Sequence, residues 1–68
     1  MTEGTVKTIN ERRFGFIRDA DGVEYFFHAD DVAQTGVTFD DLRPGMRVQF
    51  TGRDDPKGPR AAMVSAIQ

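Results

Sequence analysis

The chain contains no cysteine, which excludes a disulfide framework and a thiolate metal site, and its single histidine cannot hold zinc by itself. No stretch approaches the ~20 apolar residues that a membrane-spanning helix needs. The start, Met1-Thr2-Glu3-Gly4, lacks the basic residues and apolar run of an export signal. The expectation is a soluble cytoplasmic protein with no membrane partner. Material for catalysis is equally scarce: Ser65 is the only serine, nothing places it beside His28, and the glycines form no Gly-x-x-x-x-Gly-Lys-Ser/Thr phosphate loop. Neither an enzyme, nor a small-molecule substrate, nor a cofactor is expected. The acidic pairs Asp30-Asp31, Asp40-Asp41 and Asp54-Asp55 lack the spacing of a metal loop and read as turn and helix-start residues, so no metal is expected. Positive charge is not in excess either, with 11 acidic residues against 9 basic ones and a net charge of -2. Averaged over the surface, that balance argues against a polyanionic partner. A polyanion responds to the local field, however, so the distribution of the basic residues decides.

What the chain does have is a concentration of aromatic residues. Arg13-Phe14-Gly15-Phe16-Ile17-Arg18 is echoed ten residues later by Glu24-Tyr25-Phe26-Phe27-His28. If both stretches are strands, alternation sends Phe14 and Phe16 to one face and Gly15 and Ile17 to the other, and the same count groups Phe26 with His28. Flat π-surfaces flanked by arginines, with a glycine that permits close approach, suit the stacking of unpaired nucleotide bases. The opposite face supplies a core from Ile17, Tyr25 or Phe27, Val6, Val48, Phe50 and Val64, with Phe27 assigned to the interior. His28 offers a flat ring that can stack on a base.

A chain of 68 residues forms one domain, spanning residues 1–68. At about this length it buries only about 60% of the surface its unfolded form exposes. Strands are expected over Thr5–Asn10, Arg13–Asp19 and Val23–His28, the last two joined by the Asp21-Gly22 turn. Asp30-Asp31-Val32-Ala33 suits one helical turn, Gly36 breaks the pattern beyond it, and Leu42 anchors the long connection in the core. After Pro44-Gly45, the alternation of Met46, Val48 and Phe50 marks a fourth strand. Gly52–Pro59 reads as a polar loop, and Arg60–Ile67 as a fifth strand with Ala62, Val64 and Ala66 on one face. The fold class expected is all-β, a five-stranded antiparallel barrel of OB-fold type, with a binding surface on the second and third strands. Closure also pairs edges that a flat sheet would leave open.

From Gly4 to Ile67 the sequence resembles the bacterial cold-shock proteins. The matching pieces are Gly4-Thr5-Val6-Lys7, Phe14-Gly15-Phe16-Ile17, Phe26-Phe27-His28 and Lys57-Gly58-Pro59-Arg60-Ala61-Ala62. The resemblance implies an OB-fold barrel binding single-stranded RNA and DNA with little sequence preference, as an RNA chaperone or regulator of transcription or translation; a monomer is expected. It makes Phe14, Phe16, Phe26 and His28 the stacking positions and Lys7 and Lys57 the backbone contacts.

The departures also bear on function. Where the family usually has Lys-Trp-Phe-Asn, this chain has Lys7-Thr8-Ile9-Asn10, so a short hydroxyl side chain stands in place of a stacking ring. Ala29 replaces the usual phenylalanine after His28, and Arg13 replaces the glycine before Phe-Gly-Phe. Phe39 stands where an aromatic of the long loop is expected. Arg13 is a candidate to compensate, because a guanidinium can stack on a base and approach a phosphate. Thr8, Arg12, Arg18, Phe39 and Arg60 complete the candidate nucleic-acid-binding set, whereas Arg43, Arg47 and Arg53 are expected only to solvate the surface. The alternative reading is a protein-interaction barrel with weak or lost nucleic-acid affinity, permitted by Thr8, Ala29 and the acidic balance.

Overall fold

The first strand begins at Thr2 rather than Thr5, because Thr2, Glu3 and Gly4 pair with Phe50, Gln49 and Val48. In the computed structural model, which describes residues 2–32 and 38–67, β1 spans Thr2–Asn10, β2 Phe14–Asp19, β3 Glu24–His28, β4 Arg47–Asp55 and β5 Gly58–Ala66. They close into an all-β barrel in the order β1-β2-β3-β5-β4, with β4 returning to β1. Every ladder is antiparallel except the short β3–β5 seam, which is parallel at Phe26 and Arg60. The expected OB-type barrel is therefore present, mixed rather than wholly antiparallel. Among the described residues the connections hold only two 3-10 turns, Ala29–Asp31 and Phe39–Asp41. Ala33, expected to end a helical turn, and Gly36, expected to break the pattern, lie outside the described residues.

Alternation sets the core. Val6, Ile17, Phe27, Val48, Phe50 and Val64 are fully buried on the inward side of their strands, and Leu42 joins them from the connection before β4. Such burial is worth roughly 1.5–3 kcal/mol for each large apolar side chain. Tyr25 is half-buried, with its ring 4.9 Å from that of Phe50.

Two irregularities override the period of two. In β1, Val6 pairs with Ile17 but the next pair is Thr8 with Phe16, which leaves Lys7 as an extra, bulged residue. Strict alternation from Val6 would turn Thr8 inward; the bulge places it on the outer face beside Phe16 instead. In β5 the register shifts between Ala62 and Ser65, where Met63 adopts a φ of 55° and is exposed. The buried residues of β5 are accordingly Val64, as expected, and Ala61, whereas Ala62 and Ala66, expected on the face of Val64, are only partly buried.

The expected loop over Gly52–Pro59 is also corrected. β4 and β5 continue through it as a ladder from Thr51–Ala62 to Asp55–Gly58, turned by Pro56 and Lys57 alone. Polar residues with low strand propensity can occupy such a hairpin because it faces water, and pairing with the partner strand supplies what propensity does not.

Candidate nucleic-acid interface

Directly opposed residues of neighbouring strands share a face of the sheet, so the registers assemble the outer surface row by row. One row runs Thr8, Phe16, Phe26, Arg60 and Arg53 across β1, β2, β3, β5 and β4. The next runs Asn10, Phe14 and His28. On the other side of Phe16 and Phe26 stand Arg18 and Glu24, paired with each other. Phe14, Phe16 and Phe26 are half-buried and form one cluster, with centroids 6.4 Å apart for Phe14–Phe16, 5.7 Å for Phe14–Phe26 and 5.9 Å for Phe16–Phe26. The three rings and His28 thus meet on one outward surface, as the strand alternation implies.

The glycine between the two phenylalanines does not serve that surface. Gly15 faces inward, and a Cβ there would collide with the Thr8 backbone carbonyl and lie 3.0 Å from the Phe27 ring. What approaches it closely is the barrel itself.

His28 is fixed at the end of β3. Its Nδ1 accepts a hydrogen bond from the Asp30 backbone N–H at 3.1 Å, while its own N–H donates to Asp31 Oδ2 at 2.9 Å. With Nδ1 accepting, the proton of the neutral ring sits on Nε2.

The cations are distributed around the cluster. Lys7 extends from its bulge to Glu24, Nζ to Oε2 2.7 Å, and this hydrogen bond is the main reason the Glu24 carboxyl titrates below its ordinary range. Lys57, at the tip of the β4–β5 hairpin, lines a cleft of about 430 Å³ with Phe16, Phe26, Pro59 and Arg60. Arg60 lies over the Phe26 ring, Cζ 5.6 Å from the centroid. Among the described residues Arg12, Arg18 and Lys57 form no ion pair.

Arg13 takes a different direction. It has a φ of 69°, the left-handed region that favours glycine, which accounts for the residue the cold-shock pattern usually carries there. Its guanidinium lies 5.7 Å from the Phe39 centroid and 3.8 Å from Asp40, beside a second cleft lined by Ile9, Asn10 and Glu11. Phe39, placed in the candidate set as the aromatic of the long loop, lies beneath Arg13. It is only 7% exposed and packs 5.9 Å from Phe27, because the turn it begins is anchored by the fully buried Leu42.

Sequence reasoning missed two residues. Arg53, read as a solvating charge, belongs to the central aromatic row. Asp31, read as a turn residue, also reaches across to Arg60. The only sequence signal for the first lay in extending the β4–β5 register; for the second there was none. Among the described residues no group of acidic or histidine side chains could hold a metal ion.

The family described as the 'Cold-shock' DNA-binding domain matches residues 2–67. The chain is 42% identical to a cold shock-like protein CspA of Vibrio cholerae, over 94% of this chain and 91% of that protein. It is 39% identical to a probable cold shock protein A of Mycobacterium tuberculosis, over 98% and 100%. With a cold shock-like protein CspC of Bacillus cereus the identity is 40%, over 91% and 94%.

Proposed function

Because the chain belongs to the cold-shock domain family, we propose that it binds single-stranded RNA and DNA, with bases stacked on Phe14, Phe16, Phe26 and His28. Lys7, Lys57 and Arg18 flank the stacked bases as backbone contacts, with Arg12 and Arg13 at the β1–β2 end and Thr8 and Arg60 closing the row through Phe16 and Phe26. The observation that carries the reading is the single cluster of three outward phenylalanine rings within 6.4 Å of one another. An outward apolar cluster of this kind, rimmed by charged residues, is the mark of a surface that a ligand covers.

The work is thermodynamic rather than catalytic. A monomer in the cytoplasm that binds only the open strand stabilises it by RT ln(1 + [L]/Kd), so at sufficient concentration it melts hairpins without a nucleotide cofactor. That is the action of an RNA chaperone, and it also suits a regulator of transcription or translation.

Fluorescence anisotropy of a labelled pyrimidine-rich oligonucleotide, measured as a single strand and as its duplex, tests the proposal. Stacking on exposed rings requires unpaired bases, so the single strand should bind more tightly. Equal affinity for the duplex, or no complex with either, overturns it.

A further inference from the structure

At the parallel seam of β3 and β5, one carboxylate oxygen gathers three donors. Asp31 Oδ2 accepts the His28 backbone N–H at 2.9 Å, Arg60 Nη2 at 3.0 Å and Arg60 Nε at 3.3 Å. The Asp31 side chain is 16% exposed and that of Arg60 39%. The guanidinium held in this way is the one that lies over Phe26 and borders the cleft shared with Phe16 and Lys57. Arg53 stands directly opposite Arg60 in the β4–β5 ladder, and like charges so placed repel. Asp31 is the group that offsets the repulsion and fixes where the guanidinium rests.

We propose that Asp31 is a positioning residue that holds Arg60 over Phe26, so that the guanidinium serves as a base-stacking plane on a sheet where Thr8 and Ala29 offer no ring. The inference rests on the single-strand reading above. Guanidinium planes accept stacked bases much as aromatic rings do. Two of the donor nitrogens of Arg60 are committed to Asp31, and the carboxylate cancels its charge locally. What remains for a ligand is the plane, not a free cation seeking phosphate.

Charge alone and positioning predict opposite signs, which makes the idea testable. Removing an acid beside a polyanion should tighten binding if only the field matters. Asp31→Asn keeps an oxygen to accept the His28 N–H but loses the charge that pins Arg60; binding of a short labelled single strand should weaken about 3-fold or more. Arg60→Ala should weaken it at least about 5-fold, the low end for one stacked base, with the slope of log K against log salt unchanged. Arg60→Lys, which keeps the charge without the plane, should lose as much as Arg60→Ala, and this arm remains decisive if Asp31→Asn fails to fold. Tighter or unchanged binding by Asp31→Asn overturns the proposal. So does full retention by Arg60→Lys, or a slope shallower by about 0.7 in Arg60→Ala, which would mark a phosphate contact. Absence of any complex with the unmodified protein overturns this inference and the single-strand reading together; the other outcomes leave that reading intact.

Discussion

Phe16 stands directly across the β2–β3 ladder from Phe26, with ring centroids 5.9 Å apart and planes inclined at 71°. This edge-to-face contact, of a kind worth about 0.5–1.5 kcal/mol, steadies two rings that also line the Lys57 cleft. Phe16→Ala is expected to weaken single-strand binding by about 5- to 150-fold, the equivalent of about 1–3 kcal/mol for one lost base platform, while the barrel still unfolds cooperatively. Phe27→Ala, one residue beyond Phe26 and fully buried, should instead cost about 3–5 kcal/mol of stability, most of what a small domain has. Titration of a labelled single strand beside urea denaturation of both variants checks the contrast. Equal loss of stability in the two would show that Phe16 is core rather than surface.

The outward cluster was legible in the sequence because Phe14-Gly15-Phe16-Ile17 and Tyr25-Phe26-Phe27-His28 obey the strand period without interruption. The same is true of the core positions Val6, Val48 and Phe50. Where the period breaks, sequence reading breaks with it. The bulge at Lys7 turns Thr8 outward, a position that only the family resemblance and not the period supplied, and the bulge at Met63 makes Ala61 rather than Ala62 the inward neighbour of Val64. Arg53-Asp54-Asp55 looks like a loop because its residues are poor strand formers, yet the ladder to β5 holds them extended. Phe39 reads as a surface aromatic until the buried Leu42 fixes the turn that draws it inward. The Asp31–Arg60 pair joins residues 29 positions apart, and only closure of the barrel brings them together.

Gly15 is required by the barrel and not by the ligand. A methyl group there meets the Thr8 backbone carbonyl and the Phe27 ring, and neither can retreat without opening the β1–β2 ladder or the core. Gly15→Ala should therefore destabilise the fold by about 1–3 kcal/mol, the usual cost of overpacking, although alanine suits strands no worse than glycine. Chemical denaturation reads the change. Unaltered stability with reduced nucleic-acid affinity would return Gly15 to the binding surface.

Glu24 competes with a polyanion for Lys7. Its carboxyl is held below the ordinary range chiefly by the Lys7 hydrogen bond, and secondarily by the charges of Lys7 and Arg18. It therefore stays ionised, and the pair stays closed, through mildly acidic pH. Glu24→Gln removes the competing charge and frees the Lys7 ammonium. Single-strand affinity at low salt should rise about 2- to 5-fold, in keeping with an exposed ion pair. With Lys57 and Arg18 engaged and Lys7 shared between Glu24 and the strand, the unmodified protein should show a salt slope between about -1.4 and about -2, and Glu24→Gln should steepen it toward about -2. An unchanged slope would remove Lys7 from the phosphate contacts.

Tyr25 makes the stability of the fold depend on alkaline pH. Its phenol is raised above the ordinary value first by burial and then by the carboxylates of Asp19, Asp54 and Asp21. In the unfolded chain the same group ionises at about pH 10, so above that pH the unfolded state releases its proton before the folded state does. The stability contributed by the neutral phenol is complete below about pH 10 and falls as pH rises through the higher folded value. Tyr25→Phe keeps a ring against Phe50, 4.9 Å away in the structure, and has nothing to ionise. Its stability should fall less steeply than that of the parent above about pH 10, while the two curves run parallel below about pH 9. Tyr25 is the only tyrosine and there is no tryptophan, so tyrosinate absorbance follows this one group during the titration. Parallel curves throughout would mean that the phenol ionises equally in both states, and that its acidic neighbours exert no effective field on it.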